Sequence, residues 1–155
     1  MNKKGMTLIE LLAVVGILSL LVLIALPNAL NAFRHSKKLN FLTDVQTVWK
    51  TAVSQTKVDG YGSRKTMRYV RISGLAKEGF DTLELTGSTK MDYYIVVNFQ
   101  GTVECFFASD GEYQYRYDGT GTVINDFSEI TEDDIKFVSD LTAEEVFKVE
   151  DMLSY

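Results

Sequence analysis

The feature that most limits what this chain can fold into is Met6–Leu26, 21 residues in which only Thr7, Glu10 and Ser19 interrupt an apolar run. As an α-helix it would measure about 32 Å, enough to cross a hydrocarbon core of roughly 30 Å. Leu11 to Phe33 carries no charge, whereas the residues after Arg34 are mixed and polar, as in an ordinary soluble domain. One chain therefore has two environments to satisfy. Lys3 and Lys4 precede the run, which puts the N-terminus on the cytoplasmic side and the later residues outside. A secretory signal peptide is cut at small residues after its apolar core. Leu23 to Asn31 offers no clean site of that kind, and the basic leader ends in one glycine, Gly5, directly before the run.

Glu10 is the anomaly within this stretch. A carboxylate in a membrane helix costs about 2.5–3.5 kcal/mol at the bilayer centre and less near the interface. Either it has a partner and a task, or it simply reaches the headgroup layer. From its own position both readings stand.

The segment Gly5-Met6-Thr7-Leu8-Ile9-Glu10-Leu11-Leu12, with the basic leader before it and Pro27 after it, resembles the processing site of type IV prepilins and pseudopilins. The resemblance covers only the N-terminal part of the chain, and Met6 stands where most of that family has phenylalanine. It implies a fold and a fate. A prepilin peptidase would cut between Gly5 and Met6, the new amino group of Met6 would be N-methylated, and the apolar helix would be kept for polymerisation. Glu10, Met6 and Thr7 would be the assembly residues, with the Glu10 carboxylate meeting the cationic amine of Met6 on a neighbouring subunit or on its own. Unpaired, either charge is expensive in a low-dielectric filament core; paired, the cost is largely offset.

The same resemblance implies a single-pass membrane precursor, then an extracellular helical filament made with copies of itself or other pilins by a pilus assembly machinery. Adhesion, motility or DNA uptake would be its roles. A pseudopilin of a secretion or competence system shares the signature. A membrane-anchored binding module that never polymerises is the alternative from another class, and it predicts that Lys3 and Lys4 stay attached. Pro27 removes a backbone donor and clashes with the preceding turn, so a kink or local break is expected near Ile24 to Leu26.

Beyond Pro27 the helix is expected to resume to about Lys57. Phe41, Val45, Val48 and Ala52 form a stripe at helical spacing, with Leu42, Trp49 and Val53 beside it. The period then changes to two. Tyr93–Phe99, Thr102–Ser109 and Glu112–Tyr117 read as strands joined by turns at Gln100-Gly101 and Asp110-Gly111. Met67–Ile72 and Leu83–Leu85 read as short strands in the connecting region. Thr131-Glu132-Asp133-Asp134 and Thr142-Ala143-Glu144-Glu145 are capping-box starts of two short acidic helices. The expected class is α+β: a long N-terminal helix packed on an antiparallel meander. The expected layout is a leader at 1–5, an assembly helix at 6–27, its outer half at 28–57, connections at 58–91, the meander at 92–125 and an acidic helical region at 126–155.

Charge is unevenly spread. Asn28 to Gly79 has ten Lys/Arg against three Asp/Glu, whereas Asp126 to Tyr155 has two Lys against ten Asp/Glu. Such asymmetry serves nucleic-acid or membrane binding, contact between copies, or merely two solvated faces. Arg64, Lys65, Arg68 and Arg71, with Tyr69 among them, are the candidate anion or DNA contact; a basic surface meeting a neighbour's acidic tail is the other reading. Cys105 is the only cysteine, so no intramolecular disulfide forms, and its apolar strand context predicts a buried thiol. Pilins without a disulfide suit a Gram-positive source. No catalytic or cofactor-binding constellation is visible: His35 is the sole histidine. In Gly60-Tyr61-Gly62-Ser63-Arg64-Lys65-Thr66, Arg64 replaces the glycine a phosphate loop requires.

Overall fold

The structure, a computed structural model, describes residues 7–59, 64–72, 81, 83, 85, 91–120 and 124–146. One helix, α1 (Leu8–Asp59), serves two units, residues 1–37 and residues 38–155. In the first unit every described side chain is exposed, and the helix is long and apolar enough to cross a membrane. Its apolar residues run all round instead of along one stripe, so such a helix needs lipid or other helices on every side. Of the kink or local break expected at Pro27, no break occurs: helical structure passes through it without interruption. Proline withdraws its own N–H and crowds the preceding turn, but strong helix formers flank it: Ala25 and Leu26 before, Ala29 and Leu30 after.

In the second unit the helix becomes one-sided. Phe41, Val45, Val48, Trp49, Ala52 and Thr56 are buried, at the three- and four-residue spacing that keeps one face turned inward. That face meets an antiparallel sheet of β1 (Met67–Arg71), β2 (Asp92–Val97), β3 (Val103–Ser109), β4 (Tyr113–Tyr117) and β5 (Lys136–Phe137), in sequential order. Alternation sorts the strand residues. Tyr93, Ile95 and Val97 of β2 lie opposite Ala108, Phe106 and Val103 of β3 and join the core beneath the helix. Trp49 is the keystone, its ring 6.0 Å from Phe106 and 5.9 Å from Tyr117. Phe41 stacks on Tyr113 at 5.8 Å, and the Thr56 and Tyr69 hydroxyls share a 3.0 Å hydrogen bond.

The opposite face of the sheet is also apolar, with Ile72, Tyr94, Val96 and Phe107 buried together and Val70 and Cys105 against them. The Cys105 thiol is half-buried, and burial first, then the nearby Glu104 carboxylate, pushes its pKa up to about 11. The meander turns fall where expected. Asn98 accepts from the backbone N–H groups of Gln100 and Thr102, both at 3.0 Å, around Gly101 at φ 86°. Leu83 and Leu85 pack on the core, but neither lies in a strand. Asp81 makes the additional link, a parallel bridge to Tyr69 with its N–H on the Arg68 carbonyl at 3.0 Å.

In the C-terminal region the first of the two expected helices is replaced, while the second, from Thr142, runs into residues outside the described ones. Single 3-10 turns form at Phe127–Glu129, Glu132–Asp134 and Val138–Asp140, with β5 between the last two. Ile130 and Ile135, on either side of the Glu132–Asp134 turn, are 1% and 2% exposed and both belong to the main core. The pairing of Lys136 and Phe137 with Gln114 and Tyr113 needs extended backbone, which ends the preceding turn at Ile135. The capping boxes still form, each closing one turn: Thr131 N–H donates to Asp134 Oδ2 and Thr142 N–H to Glu145 Oε2, both at 2.8 Å. Residues 147–153 lie outside the described residues. The tail is fastened without a disulfide, by the two isoleucines, by Gln46 Nε2 donating to the Ile130 carbonyl at 2.8 Å, and by Gln114 Nε2 donating to the Glu145 carbonyl at 2.9 Å.

Candidate assembly site at the N-terminus

Glu10 is not a loose charge in this structure. Its Oε2 accepts the backbone N–H of Thr7 at 2.8 Å and the Thr7 hydroxyl at 2.9 Å, while Glu10 N–H approaches Thr7 Oγ1 at 3.3 Å. Thr7 is the N-cap and Glu10 the third helical residue, so Thr7-Leu8-Ile9-Glu10 is a capping box. Two needs are met together. Backbone donors at the helix start find acceptors, and the carboxylate sits at the end of the helix where the peptide dipoles favour negative charge. The spacing of Thr and an acidic residue three positions on, which marks the boxes at Thr131 and Thr142, is equally present here and is the signal for it in the sequence.

Gly5 and Met6 lie outside the described residues, so Thr7 and Glu10 are the described part of this site. Ser19 donates its hydroxyl to the Val15 carbonyl at 2.8 Å, so its polar group is satisfied within the helix. Pro27 is within α1, as described above.

The basic stretch itself is divided by strand geometry. Arg64 and Lys65 are exposed ahead of β1. Arg68 pairs opposite Val96 and Arg71 opposite Tyr93, so the two arginines project to opposite faces of the sheet. Both are exposed, at an edge strand. They therefore line an edge and not one flat basic face.

Comparison with known families bears on the N-terminal segment. Residues 1–26 match the family model described as the prokaryotic N-terminal methylation motif. The chain thus carries the prepilin signature of type IV pilins and pseudopilins, and its long apolar N-terminal helix with an antiparallel five-stranded sheet is a pilin-like α+β layout. No curated protein and no solved structure matches the chain. The motif implies processing by a prepilin peptidase and assembly into pilin filaments, and the apolar helix fits membrane anchoring before assembly.

Proposed function

We propose that this chain is a structural subunit of a type IV pilus, without enzymatic activity of its own. It is cut between Gly5 and Met6, N-methylated on Met6, and polymerised through the apolar half of α1. The observation that carries this reading is the pairing of a methylation motif at residues 1–26 with a helix whose side chains are exposed all round from Thr7 to Lys37. In the membrane those side chains face lipid; in a filament they would face the same helix of neighbouring subunits. The capping box suits that transfer. It holds the Glu10 carboxylate at the very start of the helix, where both hydrogen bonds use one oxygen, Oε2. A neighbour's Met6 amine would then pair with the carboxylate in the low-dielectric core, where an unpaired charge is expensive.

Mass spectrometry of the mature N-terminus tests the processing step. A chain beginning with methylated Met6 is expected, whereas retention of Lys3 and Lys4 would instead identify a non-polymerising anchor. For the assembly step, Glu10→Ala is expected to abolish filaments while leaving the precursor in the membrane. Normal filaments from that variant would remove Glu10 from the mechanism.

A further inference from the structure

The sheet order separates the charges of the globular unit onto two opposite edges. β1 and the residues just before it carry Arg64, Lys65, Arg68 and Arg71, all exposed. The other edge is β5, formed and flanked by residues 126–146, which hold eight carboxylates against one lysine. Seven of those eight carboxylate residues are exposed. Four strand spacings place the edges about 19 Å apart, well beyond the roughly 8 Å over which charges act through physiological salt. The edges therefore do little to neutralise each other within one chain. Among the described residues, no ion pair engages the four basic side chains.

We propose that these edges are the two halves of one contact between copies of this chain, the basic β1 edge of one subunit meeting the acidic β5 edge of the next. This rests on the filament-subunit reading and deepens it. The contact joins different patches on the two copies, and such a head-to-tail arrangement propagates as an open helical array unless its rotation closes a ring. The division of Arg68 and Arg71 between the two sheet faces fits an edge that is gripped from both sides. Asp81 occupies part of the outer rim of β1 through its bond to the Arg68 carbonyl. Charged side chains on an edge strand also resist direct backbone pairing between sheets. The contact is thus made by side chains, and it weakens with salt.

The test uses the full chain in cells that supply a prepilin peptidase and an assembly machinery. One variant reverses the basic edge (Lys65→Glu, Arg68→Glu, Arg71→Glu). A second reverses the acidic edge at residues that make no cap (Glu129→Lys, Asp133→Lys, Glu144→Lys). Each alone is expected to be cleaved normally and to yield about tenfold fewer sheared filaments, since like charges then face each other. Co-expressing the two variants, or combining both reversals in one chain, is expected to restore the yield. That rescue separates a lost contact from a lost fold. Unchanged yields from the single-edge variants, or no recovery by either route, would overturn the proposal. So would filaments of normal yield that lose only DNA retention, which would assign the basic edge to nucleic acid. If the unsubstituted chain keeps its leader and forms no filament, the pilus reading itself fails, a result distinct from the others.

Discussion

The Glu10 carboxylate closes back on Thr7, taking its backbone N–H at 2.8 Å and its hydroxyl at 2.9 Å. The residue that stands out as a charge in an apolar helix is therefore also the residue that starts the helix. Capping and charge can be separated by substitution. Glu10→Gln keeps an acceptor for the Thr7 N–H but has no charge. It is expected to preserve hydrogen-exchange protection of the first helical turn in detergent micelles while losing filaments as fully as Glu10→Ala. Thr7→Val should do the reverse, loosening the first turn by about 1 kcal/mol with a smaller effect on filament yield.

Trp49 joins α1 to β3 and β4, touching Phe106 and Tyr117, and is 3% exposed. Trp49→Ala is expected to destabilise the globular unit by about 3–5 kcal/mol. Denaturant unfolding followed by circular dichroism will measure it. A loss below about 1 kcal/mol would mean that the helix does not rest on the sheet through this ring.

Gly119 has φ 75°, and a Cβ there would run into the Glu104 carbonyl oxygen. Both the left-handed backbone and the close approach of a rigid neighbour oppose any side chain. Gly119→Ala should cost about 2 kcal/mol, read as a fall in Tm of the purified chain.

Two groups of carboxylates pull stability in opposite directions with pH. Burial, and then Asp110, raises the pKa of Asp44. Its charge therefore opposes folding at neutral pH, and the penalty disappears as pH falls through the folded value to below the unfolded one. Asp44→Asn should raise Tm at pH 7, and the gain should vanish below the ordinary carboxylate range. Asp118, Asp126 and Glu145 are held low by hydrogen bonds from Thr120, Ser128 and Thr142. Their contribution is present above the ordinary carboxylate values and lost as pH falls through the depressed ones. In Thr142→Val, which leaves the Glu145 carboxylate without its hydroxyl donor, the acid-induced loss should be shallower.

A thiol with a pKa of about 11 on a half-buried strand position is almost entirely protonated at pH 8. Alkylation of Cys105 by iodoacetamide at that pH should run on the order of a hundredfold slower than for a free cysteine, because the thiolate is the reactive form. Rapid labelling in the folded chain would show that the Val96–Phe107 face opens.

What was legible in the sequence is what depends on local pattern. The apolar run of Met6–Leu26, the stripe from Phe41 to Ala52, the alternating strands and the glycine turns each follow from the period of their side chains. Short-range patterns suffice there because helix and strand impose fixed spacings of apolar groups. The N-terminal motif was equally readable, and Thr7 and Glu10 stand at the spacing of a capping box. Tertiary structure decided the rest. Thr131–Asp134 has a good helix start, yet Lys136 and Phe137 pair with β4 as β5, and the extended backbone that this pairing needs ends the helix after one turn. Arg68 and Arg71 are close in sequence, but the odd spacing between them on a strand sends them to opposite faces. Whether like charges gather on a face or line an edge is set by strand order, and no local pattern records that order.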